Sequence, residues 1–217
     1  YTTLFRSPLL KCEFLSFDDP EYVLENVHVR SGLDFDTVAW ALTSFHFNTW
    51  HPLTWCSHAL DCSLFGLDPL WHHLHNYGLH LFNASLLFLF LKRLTKDSWA
   101  SLMGACFFAF HPLRVEAVAW VSARKELLAA LFYLAALLAY QSYRSSGKLA
   151  WYCLLLILYL LGLTSKAMVL TLPLAILLIE AWPYDGKNGS LGSWKLSLLF
   201  VPVLPCAVLT YSSQASG

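Results

Sequence analysis

The 217-residue chain has little charge and no net charge. Only 13% of its residues are Asp, Glu, Lys or Arg, against roughly 25% in an ordinary soluble domain. The 14 basic and 14 acidic side chains cancel, which excludes nucleic-acid binding driven by net charge. Hydrophobic residues make up 57% of the chain, which excludes intrinsic disorder.

The six cysteines contain no CxxC pair and no zinc-ligand spacing. Cys56 and Cys62 lie on different faces of one predicted helix, and other cysteines fall inside apolar runs. We therefore expect reduced, structural cysteines.

Charge is distributed unevenly along the chain. Positions 1–71 contain nine acidic and three basic residues, so this part carries −6 and the remainder carries +6. Eight of the nine histidines precede Leu81. The chain thus divides into an acidic, histidine-rich first part and an apolar second part.

Apolar runs separated by short polar loops follow from position 71. A membrane-spanning helix needs about 20 mostly apolar residues, or fewer if it is short. The runs predict an all-α, polytopic membrane protein with about six transmembrane helices within 71–211. Their uniform apolarity argues against a water-soluble helical core. The predicted spans are 71–91, 99–110, 127–143, 149–163, 167–182 and 194–211.

Basic residues occupy alternate loops of this arrangement, and the positive-inside rule assigns those loops to the cytoplasm. They are Lys92, Arg93, Lys96, Arg144, Lys148, Lys187 and Lys195. Positions 8–70 then form a first extracytoplasmic loop. Topology does not require the remaining outer bases, so they are candidates for function: Arg114, Arg124, Lys125 and Lys166.

We have two expectations for the beginning of the chain. Positions 1–7 read like a translated sequencing adapter, so we exclude them from the fold. Because an extracytoplasmic first loop normally follows a signal or spanning helix, we expect a preceding transmembrane helix in the parent protein.

Two adjacent carboxylates, Asp18 and Asp19, precede Pro20 in the outer loop. Proline biases the residue before it toward an extended conformation, which suits a rigid turn presenting both acids. A solvated turn or a helix cap is the alternative interpretation.

Pro52 suits the first turn of a helix reaching about Phe65. Its polar stripe consists of Thr54, His58 and Asp61. We expect an interfacial helix whose tryptophans lie at headgroup level and whose stripe meets water. Ligation of a metal by this stripe together with His51 is the alternative.

Polar residues also line one side of the first predicted span, at His73, Asn76, His80 and Asn83, with His72 close by. Polar groups inside a membrane cost free energy, so they indicate a functional cavity. Hydrogen bonding between helices is the alternative.

The stretch 111–126 is too polar to span a membrane, and it predicts a short outer helix near 112–126. It carries His111, Glu116, Arg124 and Lys125, while Lys166 lies at the same level. Acids, cations and polar side chains at an outer membrane surface favour transfer from a lipid-phosphate donor. One carboxylate would act as general base, and the cations would hold the phosphate.

Three stretches carry a family resemblance: HPLTWCSHALDCSLFGLDPLWHHLHN, HPLRVEAVAWVSARKELL and SKAMVLTLP. Together with the acidic pair, they resemble the membrane portion of the transmembrane and tetratricopeptide-repeat O-mannosyltransferases, especially bacterial relatives. The resemblance covers about 17–182. It implies a GT-C-like helical bundle, a polyprenyl- or dolichyl-phosphate sugar donor and inversion at the anomeric carbon.

The resemblance also implies roles for residues. The catalytic acid maps onto Asp18 or Asp19, with Glu116 as a second acidic position. Arg124, Lys125 and Lys166 would bind the donor phosphate. The cavity would be lined by His58, His72, His73, Asn76, His80 and His111. Mg or Mn bound by the three acids is left open.

The resemblance further implies a bacterial inner membrane with the active site facing outward, a protein or glycan acceptor, and tetratricopeptide repeats after the membrane portion. The first loop differs from that of the eukaryotic relatives, so neither mannose nor a cadherin-like acceptor is carried over. The alternatives are a histidine-rich metal or small-solute transporter and a non-catalytic membrane scaffold.

Overall fold

The computed structural model describes residues 13–181 and 193–215. Every regular element in this part of the chain is helical, so the all-α prediction is confirmed. The adapter-like positions 1–7 and the end of the predicted span at Trp182 lie outside the described residues.

The first part forms three short helices after a π-helical turn at Pro20–Leu24. They are α1 (Val27–Arg30), α2 (Phe35–Thr43) and α3 (Pro52–Phe65). Side chains of Asn26 and Asp34 accept hydrogen bonds from backbone N–H groups at the starts of α1 and α2, which satisfies donors that a helix leaves free. The bounds of α3 confirm the predicted helix.

Longer helices form the second part. They are α4 (Pro69–Thr95), α5 (Ser98–Phe110), α6 (Val115–Ala119), α7 (Arg124–Ser146), α8 (Leu149–Leu163), α9 (Leu172–Ala181), α10 (Ser193–Phe200) and α11 (Val203–Ala215). Asp68 and Asp97 cap the starts of α4 and α5. Gly147 ends α7 with a φ of 68°, a conformation that glycine adopts without strain.

Two predicted helices are divided. The stretch near 112–126 contains a 3-10 turn (Pro112–Arg114) and the short α6, and Arg124 instead begins the long α7. The run 194–211 is interrupted between α10 and α11, where Pro202 has no N–H to continue a helix. The prediction of a single helix was wrong for 194–211, whereas the stretch near 112–126 does contain a short helix, which ends before Arg124.

By length and hydropathy, α7 is the clear candidate for a membrane span in the described part of the chain. A second candidate is α5 joined to the following helical segment, although the two are bent by 55°. The polytopic arrangement therefore stays a prediction.

The main apolar core lies among α7, α8 and α9. Tyr140, Leu155, Tyr159 and Leu172 are completely buried there. A second core joins the first part of the chain to the segment before α7, with Tyr22, Trp55 and Val121 completely buried.

The stripe Thr54, His58 and Asp61 is almost completely buried, as is Trp55. The expectation that this stripe meets water was wrong, whereas the level of the helix relative to a membrane stays a prediction. The physical reason is an ionic one: Asp61 forms an ion pair with the buried Arg124 of α7, which turns the stripe inward.

Candidate functional site

A cavity of about 370 Å³ lies where the first part of the chain meets α6 and the beginning of α7. Its volume falls in the range of small-molecule sites, roughly 300–1,000 Å³. It is lined by Asp18, Leu113, Arg114, Glu116, Ala117, Trp120, Ala123, Lys125 and Glu126. Two groups of residues far apart in sequence thus share one mixed-charge space.

The two adjacent aspartates lie in different environments. Asp18 lines the cavity and is half-buried. Asp19 is buried, and its two carboxylate oxygens accept hydrogen bonds from the backbone N–H groups of Leu15 (3.0 Å) and Ser122 (2.9 Å). Asp19 therefore holds the loop in place, whereas Asp18 is presented to the cavity.

The carboxylates of the cavity face ammonium groups from two elements. Glu126 forms an ion pair with Lys166, which the turn after α8 supplies. Lys125 donates a hydrogen bond to Tyr22 Oη at 2.9 Å, and its Nζ lies 4.6 Å from the centre of the Tyr22 ring. These contacts bring the predicted Lys125 and Lys166 to the same region as Asp18.

The turn carrying Lys166 is fixed against the start of α3. The N–H of Leu53 donates to the carbonyl of Thr164 at 3.1 Å, and the Thr54 hydroxyl donates to the carbonyl of Ser165 at 3.3 Å. These bonds to α3 fix the position of the turn that carries Lys166.

The pKa of His51 is affected by the positive charges of this site. The side chain is 8% exposed. Burial, followed by the charges of Lys125 and Lys166, lowers the pKa of His51 to about 4. The imidazole is therefore neutral at physiological pH.

Arg124 does not line the cavity; it lies wholly buried behind it. Its Nη1 forms an ion pair with Asp61 Oδ2 at 2.5 Å. The guanidinium also donates to Asn76 Oδ1 (2.8 Å), to the Ser57 carbonyl (3.2 Å) and to the His72 carbonyl (3.0 Å). A guanidinium has only five N–H donors, so most of them are already used within the protein.

Asp61 is the anionic centre of this buried network. Burial alone would raise its pKa, but the hydrogen bond from His75 (2.8 Å) and the charge of Arg124 outweigh it and lower the pKa. The carboxylate therefore stays ionised opposite Arg124.

None of the six side chains predicted to line a cavity lines this one. Two of the six, both on α4, bond to neighbouring segments. Asn76 Nδ2 donates to the Trp120 carbonyl (2.8 Å), and His80 Nε2 lies 3.0 Å from the Ala109 carbonyl. His72 Nε2 lies 3.3 Å from the Gly66 carbonyl. His58 and His73 are buried, and His111 Nδ1 accepts from the N–H of Leu113 at 3.2 Å.

Asn83 behaves in the same way as Asn76, since its Nδ2 donates to the Leu127 carbonyl at 2.9 Å. Three members of the α4 stripe, Asn76, His80 and Asn83, thus bond neighbouring segments, as the alternative interpretation expects.

The acids proposed as metal ligands do not form a metal-binding group. Both oxygens of Asp19 accept backbone hydrogen bonds, and Glu116 is exposed. Across residues 13–181 and 193–215, no three or more His, Cys, Asp or Glu side chains are arranged to hold a metal ion. This geometry does not fit the implied divalent cation.

Three residues of the site were not identified from the sequence as site residues. Glu126 lines the cavity, Tyr22 bonds Lys125, and Trp120 lines the cavity while stacking on Phe17 at 5.4 Å between ring centres. Arg114, one of the outer bases predicted as candidates for function, also lines the cavity. The position of Glu126 beside Lys125 is the one sequence signal that could have found a member of this group.

Across the described residues, the protein is all-helical and has a cavity lined by both acidic and basic side chains. Comparison with known proteins identifies relatives of this chain. The chain is 31% identical over 164 residues to mouse protein O-mannosyl-transferase TMTC3, which covers 72% of this chain and 18% of that protein.

Two further relatives carry the same description. Protein O-mannosyl-transferase Tmtc2 of Drosophila melanogaster is 33% identical over 194 residues, 83% of this chain and 20% of that protein. Mouse TMTC2 is 37% identical over 92 residues, 42% of this chain and 11% of that protein. This chain therefore spans about a fifth or less of the length of these relatives. No protein-family model and no solved structure matches it.

Proposed function

We propose that the protein is an integral-membrane glycosyltransferase of GT-C type. It transfers a sugar from a polyprenyl-phosphate donor to a hydroxyl group of a protein or glycan on the extracytoplasmic side, with inversion. The observation that carries the proposal is the cavity shared by Asp18, Glu116 and Lys125, with Lys166 beside it. The relatives, all named as O-mannosyl-transferases, support a transferase that acts on sugars.

Asp18 is the general base in this proposal. It is half-buried, lines the cavity and forms no side-chain hydrogen bond or ion pair within the described residues, so its carboxylate is available to an incoming hydroxyl. Asp19 is not chosen, since its oxygens already bind two backbone N–H groups. A base must reach the proton that it removes, and Asp18 meets that requirement better.

The reaction is a single displacement. The acceptor oxygen forms a bond to the anomeric carbon while the bond from that carbon to the phosphate oxygen breaks. The hydroxyl proton passes to Asp18, and the bonding electron pair leaves with the polyprenyl phosphate. Attack on the face opposite the leaving group inverts the anomeric centre.

Cationic side chains stabilise the charge that gathers on the leaving phosphate. Lys125 and Lys166 are placed for this role, since Lys125 lines the cavity and Lys166 pairs with the cavity residue Glu126. Arg124 acts indirectly, because its ion pair with Asp61 anchors the beginning of α7, from which Lys125 and Glu126 extend.

The proposal is tested by sugar transfer in membranes that contain the protein. Labelled polyprenyl-phosphate sugars are supplied as donors, and Asp18→Asn is compared with the wild type. We expect transfer to fall by about 10²–10⁴-fold, the usual contribution of a general base. Glu21→Gln, at an exposed acid on the neighbouring turn, is the matched control and should retain activity.

Insertion and thermal stability of Asp18→Asn must match the wild type for the comparison to count. Full activity in this variant would overturn the assignment of the base. Absence of transfer by the wild type from every polyprenyl-phosphate sugar would overturn the proposed function.

A further inference from the structure

Arg114 is an arginine of the cavity that the proposed reaction has not used. It lines the cavity and is half-buried, and its Cζ lies 4.5 Å from the centre of the Phe108 ring. Within the described ranges, its guanidinium has no ion pair and no hydrogen bond to a protein acceptor. Its five donors are therefore open to a ligand, while Phe108 restrains the plane of the group.

Arg124, in contrast to Arg114, already uses its guanidinium in bonds within the protein. It is completely buried and bonded to Asp61, Asn76 and the His72 carbonyl. To bind a ligand, Arg124 would have to break a buried ion pair and leave Asp61 without a counter-charge. Of the two arginines, the structure thus leaves Arg114 able to bind an anion in the cavity.

An exposed apolar stripe leads along α5 toward Arg114. Four of its members lie about one turn apart on one face of α5 and are 65–77% exposed: Trp99, Met103, Phe107 and Phe110. Leu113 follows in the 3-10 turn, beyond a bend of 55°, and is 81% exposed. Leu113 also lines the cavity together with Arg114, so exposed apolar side chains follow the chain from α5 to the cavity.

We propose that Arg114 binds the phosphate group of the lipid donor, and that the isoprenoid chain of that donor lies along the α5 stripe. This inference rests on the proposed function, which supplies the class of donor. A guanidinium pairs with phosphate through two parallel N–H groups, and an isoprenoid chain needs a long apolar surface that ends at its headgroup site. Arg114 and the α5 stripe provide these two features side by side.

The assignment refines the phosphate site as well. Lys125 and Lys166 already bind Tyr22 Oη and Glu126, respectively, so part of their bonding capacity is used within the protein. Arg114 supplies an arginine contact to the same cavity, next to Leu113. Phosphate held there would place the sugar within the cavity, toward Asp18.

Binding without turnover tests this inference separately from catalysis. Purified protein in detergent is titrated with polyprenyl phosphate, with the matching polyprenol and with inorganic phosphate. Tryptophan fluorescence reports binding, because Trp120 lines the cavity. Arg114→Gln is compared with the wild type, and Arg30→Gln, at an exposed arginine of α1, is the matched control.

We expect Arg114→Gln to weaken polyprenyl phosphate binding by at least tenfold, Arg114→Lys to weaken it less, and Arg30→Gln to leave it unchanged. Binding of the polyprenol, which lacks the phosphate, should be weak and equal in the wild type, Arg114→Gln and Arg30→Gln. Met103→Asp should weaken polyprenyl phosphate binding through the tail, without changing the melting temperature.

Equal affinity of Arg114→Gln and wild type for polyprenyl phosphate would overturn the phosphate contact. Inorganic phosphate binding as tightly as the lipid phosphate, with Met103→Asp having no effect, would overturn the tail path. If binding depends on Arg114 but the wild type transfers no sugar, the proposed function fails while this inference stands.

Discussion

The carboxylate of Asp19 accepts a hydrogen bond of 2.9 Å from the backbone N–H of Ser122, 103 positions later in the chain. Its other oxygen accepts from the N–H of Leu15 at 3.0 Å. One side chain thus joins the loop before Pro20 to the segment before α7, and the neighbouring Asp18 lines the cavity. Adjacent aspartates therefore have separate tasks.

Replacing Asp19 should affect the loop rather than the proton transfer. Asp19→Ala leaves the buried N–H of Ser122 without an acceptor, which costs about 1–3 kcal/mol. We expect a lower melting temperature and reduced transfer, with the activity–pH profile keeping its shape. Asp19→Asn retains an acceptor oxygen and should be milder. Complete loss of transfer in a fully stable Asp19→Asn protein would instead identify Asp19 as the base.

The buried pair of Asp61 and Arg124 should contribute strongly to stability. Asp61→Asn leaves a wholly buried guanidinium without its counter-ion, so we expect a loss of about 3–5 kcal/mol in the free energy of unfolding. Denaturant titration in detergent measures the loss. Glu126→Gln is the comparison, because it breaks a pair with Lys166 whose side chains are 28% and 29% exposed. Such a pair contributes at most about 1 kcal/mol, and equal losses in the two variants would contradict the distinction.

Two glycines in helices should respond in opposite directions to alanine. A Cβ at Gly162 would lie 2.9 Å from Val169 Cγ1 and 3.3 Å from Phe132 Cβ, so Gly162→Ala should destabilise by about 1–3 kcal/mol. Gly78 has no atom within 4 Å of such a Cβ, and Gly78→Ala should stabilise α4 by about 0.5–1 kcal/mol. Melting temperatures of the two variants check this, and a shift of the same sign in both would refute the packing argument.

Stability should fall on mild acidification because of His51. Its pKa is lowered to about 4 in the folded protein, by burial and by Lys125 and Lys166, whereas an unfolded histidine has a pKa near 6.5. The unfolded state therefore binds the proton more tightly, and the His51 contribution to stability decreases as pH falls from about 6.5 to 4. Melting temperatures of wild type and His51→Gln at pH 7 and 5 measure it.

We expect the wild type to lose more than His51→Gln between these two pH values. His28→Gln, at an exposed imidazole, is the control for removing a histidine. The same pH dependence in wild type and His51→Gln would show that His51 does not take part.

A local sequence signal was sufficient for α3, whose start at Pro52 was predicted. The caps at Asp68 and Asp97 are signals of the same kind, although α4 and α5 were predicted to start at 71 and 99. These signals act within a few residues, through fixed φ and unpaired N–H groups, so they can be read from a single sequence. The polar periodicity of α4 was also visible in the sequence, although the bonding partners of its side chains were not.

Burial and pairing depend on partners that are distant in sequence. Arg124 and Lys125 are neighbours with the same charge, yet one is sealed against Asp61 and the other opens into the cavity. Successive positions on a helix point about 100° apart, so the elements packed on each side assign their surroundings. The same holds for Asp18 and Asp19. The sequence by itself determined the all-helical character, the charge asymmetry and the residues available for chemistry, whereas the tertiary structure decided which of them face one another, because the Coulomb and hydrogen-bond energies that select a role act only at contact distance.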